Sequence, residues 1–237
     1  MLSTLIGLPR IEGAVERLDL PGADPVDVAA SLDDLARINR LFGGTSLTLR
    51  GLERLLGRRG LGQLTLLDAG CGGGDLARAM ARWARRRGFV PRVLALDASP
   101  QIAALAFDRV GPDVEIHVGD VLALDLPDDS VDVATCSLLV HHLEPPDAVQ
   151  ALQELGRVAR RGVVVNDLVR TRTGLVGAHL VGRLLARSPI TRHDAVLSVR
   201  RAYTRAELVA LARTAGLSPL EVRGRLGYRV ALVAEPA

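Results

Sequence analysis

The chain has 237 residues, a formal net charge of +3 and 48% apolar residues. That is enough for one α/β domain with a sizeable core, and it excludes disordered and collagen-like chains. No apolar run approaches the ~18 residues of a bilayer span, so no integral membrane contact is expected. Every basic residue is arginine, and the arginines are interspersed with acids. A nucleic-acid surface concentrates its charge, so no nucleic-acid partner is expected. Cys71 and Cys136 are the two cysteines and give neither a disulfide framework nor metal-ligand spacing. The expectation is a reduced, cytoplasmic setting with no metal site. Residues 1–8 lack a basic leader and a long apolar stretch, and so do not read as a secretory signal.

Residues 1–60 carry two helical patterns, one with Leu35, Ile38 and Phe42 and one with Leu49, Leu52 and Leu56. They are read as a helical cap on a domain spanning 61–237. From residue 64 onward, short apolar runs alternate with helical patterns. Strands are predicted at 64–67, 93–96, 114–118, 131–136 and 162–165. Between them, Leu76, Met80 and Trp83 recur at helical spacing, Ser99-Pro100 opens a second helix, and 145–158 reads as a third. This alternation predicts a doubly wound, mostly parallel sheet with helices on both faces. Residues 167–203 break the pattern as an insertion. Thr204-x-x-Glu207 is a capping box opening the last helix. Runs at 220–222 and 229–233, joined across Arg225-Leu226-Gly227, read as an antiparallel hairpin that completes seven strands.

The sharpest signal is Asp68-Ala69-Gly70-Cys71-Gly72-Gly73-Gly74-Asp75, where a strand runs through a glycine turn into a helix. Glycines there permit positive φ and close approach to a ligand. The turn sits at the edge of the sheet where doubly wound folds bind cofactors. Acids close the next two strands: Asp97 the second, and Asp120, after Gly119, the third. A dinucleotide fingerprint can be drawn through Gly72-x-Gly74-x-x-Ala77 with Asp97 on a ribose. A nicotinamide-dependent oxidoreductase is therefore the rival reading, opposed by Asp68 and Asp120.

Taken together, Asp68-x-Gly70-x-Gly72-x-Gly74, Asp97, Gly119-Asp120 and Ser137-Leu138-Leu139-Val140-His141-His142-Leu143 resemble the class I S-adenosylmethionine-dependent methyltransferases, specifically the small ubiquinone-biosynthesis-like group. The resemblance covers about residues 60–237. It implies that Gly70, Gly72 and Gly74 cradle the methionine part of the cofactor. Asp68 holds the loop and the cofactor amine, Asp97 both ribose hydroxyls, and Asp120 with Val121 the adenine. Cys71 is a common variant in that loop, and Ala98, Ser137 and Leu138 belong to the same expected set. The product would be S-adenosylhomocysteine.

Three residues are candidates for the chemistry: His141 and His142 beyond the fourth strand, and Asp167 at the end of the fifth. A base taking a proton from an oxygen acceptor is worth ~10²–10⁴-fold. The family shows His-His-Leu in O-, N- and C-methylating members alike, so N- and C-methylation stay open as alternatives. Leu175, Val176, Leu180, Val181, Leu184 and Leu185 suit an apolar lid. Thr191-Arg192-His193-Asp194 and residues 198–204 resemble a subgroup found beside type III polyketide synthases, some members of which methylate phenolic polyketides or lipids. The expected partner is a small hydrophobic or phenolic acceptor, and the chain is expected to act as a monomer or homodimer. His193-Asp194 is a further acid–base candidate. Arg37 and Arg40 are candidates for an anionic group of the cofactor or substrate.

Overall fold

The computed structural model describes residues 8–57 and 60–236. Residues 1–7 of the stretch read above for a leader lie outside them. Five parallel strands come first: β1 (Gly62–Ala69), β2 (Phe89–Asp97), β3 (Val114–Val118), β4 (Val131–Ser137) and β5 (Ala159–Leu168). The hairpin β6 (Leu217–Arg225) and β7 (Arg229–Pro236) then joins antiparallel to β5. The spatial order is β3-β2-β1-β4-β5-β7-β6, one seven-stranded sheet of the predicted kind. β3 falls where the sequence places it. β5 begins three residues earlier than its apolar run, because the chain leaves helix α5 (Pro145–Val158) directly into the strand at Ala159. The extra residues include Arg160 and Arg161, which pair with Asp132 at 3.3 and 3.9 Å, so the hydrophobic pattern alone misses them.

Period-two alternation sends Leu66 and Leu67 to opposite faces of the sheet, both fully buried. One face is covered by α2 (Gly44–Leu56) and α3 (Asp75–Arg86), with Met80, Trp83 and Leu52 against Leu66, Val93 and Val164. The other face is covered by α5 and α8 (Arg205–Thr214), with Leu152, Leu155 and Leu208 against Leu67, Val163 and Leu232. Burying each such leucine contributes ~1.5–3 kcal/mol. The capping box forms as read: Thr204 Oγ1 accepts from the Glu207 amide at 3.3 Å, and Glu207 Oε2 accepts from the Thr204 amide at 2.7 Å.

Of the remaining helices, α4 (Pro100–Phe107) packs on β2 and β3, while α1 (Pro25–Leu41) and the insertion, which forms the pair α6 (Arg172–Leu184) and α7 (Pro189–Arg201), lie over the carboxyl edge of the sheet. Asp24 opens α1 by accepting from the Val26 amide, with Pro25 in the first turn. Two buried acids join these segments. Asp34 of α1 accepts from the amides of Arg187 and Ser188, and Asp194 of α7 accepts from those of Arg17 and Leu18 at 3.0 and 3.1 Å. Of the apolar residues expected on the underside of the insertion, Val176, Leu180 and Leu184 point outward and are 62, 55 and 75% exposed. Gly174, Ala178 and Val181 of α6 face the interior instead. The helix offers its small side to the cavity and packs along α7.

Candidate active site

A cavity of ≈ 370 Å³ opens between the carboxyl ends of β1, β2, β4 and β5 and the helices above them. At one end lies the glycine turn. Gly70, Gly72 and Gly74 take φ of +67°, +51° and +73°, the region that disfavours any side chain. A Cβ on Gly70 would stand 2.9 Å from Leu139, and one on Gly74 2.6 Å from Val110. Gly74 sits behind the turn as the N-cap of α3. Asp97 clamps the turn: one carboxylate oxygen accepts from the Gly72 amide and the other from the Ser99 amide, both at 3.0 Å.

Asp68, at the end of β1, is 1% exposed. Its Oδ1 accepts from the Thr135 hydroxyl at 3.2 Å, while Oδ2 has no partner and the residue lines the cavity. Burial, with the nearby charges of Asp75 and Asp97, pushes this carboxyl up to about 8. Burial also raises Asp97, against the pull of its two amide donors. The residues therefore fit a cationic group at this end. A zwitterion carrying an ammonium and a sulfonium matches three crowded carboxyls and a turn with no side chains.

The other predicted cofactor residues divide. Cys71, Ala98, Ser137 and Leu138 line the cavity. Leu138 takes φ +56°, unusual for a branched side chain; such strain, ~1–3 kcal/mol, persists only where surrounding contacts impose it. Here the Leu138 amide is held by the Asn166 carbonyl at 2.9 Å. Asp120 and Val121 are not brought to the cavity wall. Asp120 is exposed and accepts from the Leu122 amide, and Val121 is in the core.

The opposite end of the cavity is a polar cluster. His141 is 2% exposed, and its Nδ1 lies 2.6 Å from Asp167 Oδ1. Asp167 Oδ2 also accepts from the His141 amide at 3.0 Å, fixing ring and backbone together. His142 Nδ1 lies 2.6 Å from Asp19. Glu16, buried, faces both Nε2 atoms, at 3.5 Å from His141 and 3.9 Å from His142. Ser198 of α7 donates to Glu16 Oε2 at 2.9 Å. Burial alone would lower the His141 pKa; Asp167 and Glu16 outweigh it and raise it to about 10. Burial would conversely raise Glu16, but the His141 contact and the two imidazoles bring it down to about 2. Arg201 holds the turn from behind, donating to the carbonyls of His141 and His142 at 3.1 and 2.5 Å.

Three further residues reach the cavity without a sequence signal. Glu16 and Asp19 sit in an unpatterned segment, placed by Asp194 from across the chain. Arg229, 1% exposed, reaches the cavity from β7 and donates to Asn166 Oδ1 at 2.8 Å. Leu35, Ile38 and Phe42, read as a helix's apolar face, line the cavity wall. Asn39 beside them is buried with an unpartnered Oδ1. Arg37 bonds Asp34 and the Leu185 carbonyl, and Arg40 is exposed; neither lines the cavity. His193 pairs with Asp194, but that acid serves as the anchor for residues 17 and 18.

A doubly wound sheet with a cation-suited glycine turn at its carboxyl edge defines a cofactor-binding α/β domain. Comparisons with known proteins agree. Residues 66–162 match the methyltransferase domain family. The chain is 31% identical over 186 residues to the ubiquinone biosynthesis O-methyltransferase of Xanthomonas euvesicatoria pv. vesicatoria, spanning 74% of this chain and 71% of that one. It is 29% identical over 204 residues to an uncharacterised 37.1 kDa protein in transposon TN4556 of Streptomyces fradiae, covering 84% of this chain but only 49% of that relative's length. Among solved structures, a SAM-dependent methyltransferase from Aquifex aeolicus superposes with TM-score 0.64 over 90% of this chain and 99% of that one; at 22% identity it speaks to the fold alone. The chain belongs to the class I S-adenosylmethionine-dependent methyltransferases. Its cofactor is S-adenosylmethionine.

Proposed function

We propose that the protein methylates a hydroxyl of a small, largely apolar acceptor, phenolic or polyketide-derived, with S-adenosylmethionine as donor. The observation that carries this reading is the division of one cavity. A glycine turn with acids lies at one end, leucines and small residues of α1 and α6 form the wall, and a histidine–carboxylate cluster lies at the other end. In this reading Gly70, Gly72 and Gly74 receive the methionine part, Asp68 its ammonium, and Asp97 the ribose hydroxyls. The cofactor supplies a methyl carbon already activated by its sulfonium. What remains for the chain is alignment, worth ~7–11 kcal/mol in favourable cases, and handling of the acceptor's proton.

For the second task, His141, held protonated by Asp167 and Glu16 with a pKa raised to about 10, donates to the acceptor's oxygen, and His142 beside it takes the proton. Asp167 and Asp19 hold the two Nδ1 atoms, which turns both Nε2 atoms toward Glu16 at the cavity wall. A hydroxyl entering between α1 and α6 meets that edge. Among the described residues no helix is long and apolar enough to cross a membrane.

The test starts with calorimetric titration of S-adenosylmethionine, S-adenosylhomocysteine and NAD(H) side by side. Phenolic, amine and carbon acceptors are then screened with mass-spectrometric location of the added methyl. Binding of the first two alone, and an O-methylated product, are the expected results. Methyl found only on nitrogen or carbon refutes the acceptor assignment.

A further inference from the structure

We propose that Glu16, His141 and His142 form a binding site for a divalent transition metal of the zinc class, opening onto the acceptor end of the cavity. The inference rests on the methyltransferase reading for its use, but the site stands on its own geometry. The ligand atoms of the three residues lie within 4.8 Å of one another. Two imidazoles and one carboxylate with an open fourth position is a donor set suited to such a metal.

Three observations point to an ion rather than a chain of hydrogen bonds. First, Glu16 Oε1 is buried without a hydrogen-bond partner, although an imidazole nitrogen faces it. Second, the Nε2-to-carboxylate separations are 3.5 Å, at the outer limit of a hydrogen bond, and 3.9 Å, beyond it. Two ligands about 2.1 Å from one tetrahedral ion stand ~3.4 Å apart, so small side-chain shifts close the set. Third, both Nδ1 atoms are held by carboxylates, Asp167 and Asp19, each at 2.6 Å. That outer pairing turns both Nε2 atoms toward Glu16, as in metal-bound histidines generally, and a metal ion binding there would displace the Nε2 proton of His141 to solvent. Glu16, Asp167 and Asp19 outnumber the one imidazolium among them, and a dication replacing its proton would offset more of their charge. Arg201, the nearest guanidinium bonded to this turn, is engaged with its carbonyls.

A dication here acts as a Lewis acid on an acceptor hydroxyl placed in the open position. The O–H bond breaks and its proton leaves to solvent. An oxygen lone pair then bonds the methyl carbon as the carbon–sulfur bond breaks, leaving S-adenosylhomocysteine.

The experiment strips the full chain with a chelator, adds Zn²⁺ alone, and measures metal retained per chain after gel filtration. One equivalent is expected for the wild type. Asp167→Asn should weaken retention by ~10–100-fold, the usual cost of losing an outer carboxylate, and Glu16→Gln and His142→Ala by at least as much. Asp19→Asn, at the exposed rim, gives a second outer-carboxylate variant should Asp167→Asn fail to fold. S-adenosylhomocysteine affinity, measured in parallel, should be unchanged in Glu16→Gln. Failure of that binding in the wild type as well would undermine the methyltransferase reading rather than the metal site. Two results overturn the proposal: no Zn²⁺ retained by the wild type, or equal retention by the wild type, Glu16→Gln and His142→Ala. Methyl transfer that persists undiminished after chelation refutes the Lewis-acid role.

Discussion

Replacing Asp97 with alanine is the most direct test of the cofactor end. In the structure both carboxylate oxygens already accept a backbone amide, from Gly72 and Ser99, each at 3.0 Å. Each oxygen keeps a second lone pair for a ribose hydroxyl. A hydrogen bond to a charged acceptor contributes ~1.5–3 kcal/mol, so two lost ribose bonds amount to ~3–6 kcal/mol. At ~1.4 kcal/mol per tenfold, S-adenosylhomocysteine binding should weaken by ~10²–10⁴-fold. The substitution also releases the Gly72 amide, so the turn loses its clamp and the loss should fall toward the upper end. Asp97→Asn separates the two effects. It keeps the volume and one acceptor oxygen but turns an NH₂ toward an amide donor, so its affinity should lie between those of the wild type and the alanine variant. Calorimetric titration with S-adenosylhomocysteine avoids turnover, and circular dichroism melting checks the fold. A loss below tenfold in a folded Asp97→Ala variant would refute the ribose assignment and the clamp together.

Other expectations follow from single side chains. Asp68 ionises in the fold only near pH 8, against 3.8 as its ordinary value, so its contribution to stability is fully present below 3.8 and is lost as pH rises toward about 8. Wild-type melting temperature should therefore fall across that range more steeply than that of Asp68→Asn. Binding of a cationic cofactor near neutral pH should release a proton from Asp68, seen as a buffer-dependent calorimetric enthalpy that Asp68→Asn diminishes. Gly51→Ala would put a Cβ 2.6 Å from Val164 where α2 crosses β5. Overpacking of ~1–3 kcal/mol should outweigh the ~1 kcal/mol gained in helix propensity, giving a net loss in urea denaturation; a stabilised variant would show that α2 can move off the sheet. Thr204→Ala removes the capping-box hydroxyl and should cost ~0.5–2 kcal/mol in the same assay, and no change would mean that α8 is held by packing alone.

The cofactor end was legible because its determinants are local. Strand, glycine turn and helix are continuous from Asp68 to Asp75, and positive φ at three glycines is a property of residue type. The sheet was legible for a related reason: most strands carry a short apolar run at their centre, although the order of the strands was not read from the sequence and β5 begins on arginines outside its run. Asp120 shows the limit of that logic. A carboxylate at a strand end reads the same whether it faces a ligand or its own turn, and here it folds back onto the Leu122 amide. The outward stripe of α6 shows another limit. Val176, Leu180 and Leu184 share one helix face, but only the packing of α6 on α7 decides that this face meets solvent.

The acceptor end is assembled from four distant segments, and that is why the sequence hid it. His141 and His142 could be found as a pair, and Asp167 as a strand end. Glu16 has no such mark: it lies 125 residues before His141 in a segment with no apolar period. Its position depends on α7, where Asp194 holds the amides of Arg17 and Leu18 and Ser198 donates to Glu16 itself. The insertion that interrupts the strand–helix alternation therefore does more than cover the cavity. It fixes the carboxylate that faces both imidazoles, so substitutions at Asp194 or Ser198 should alter the chemistry of the acceptor end while leaving the glycine turn, and with it cofactor affinity, as it is.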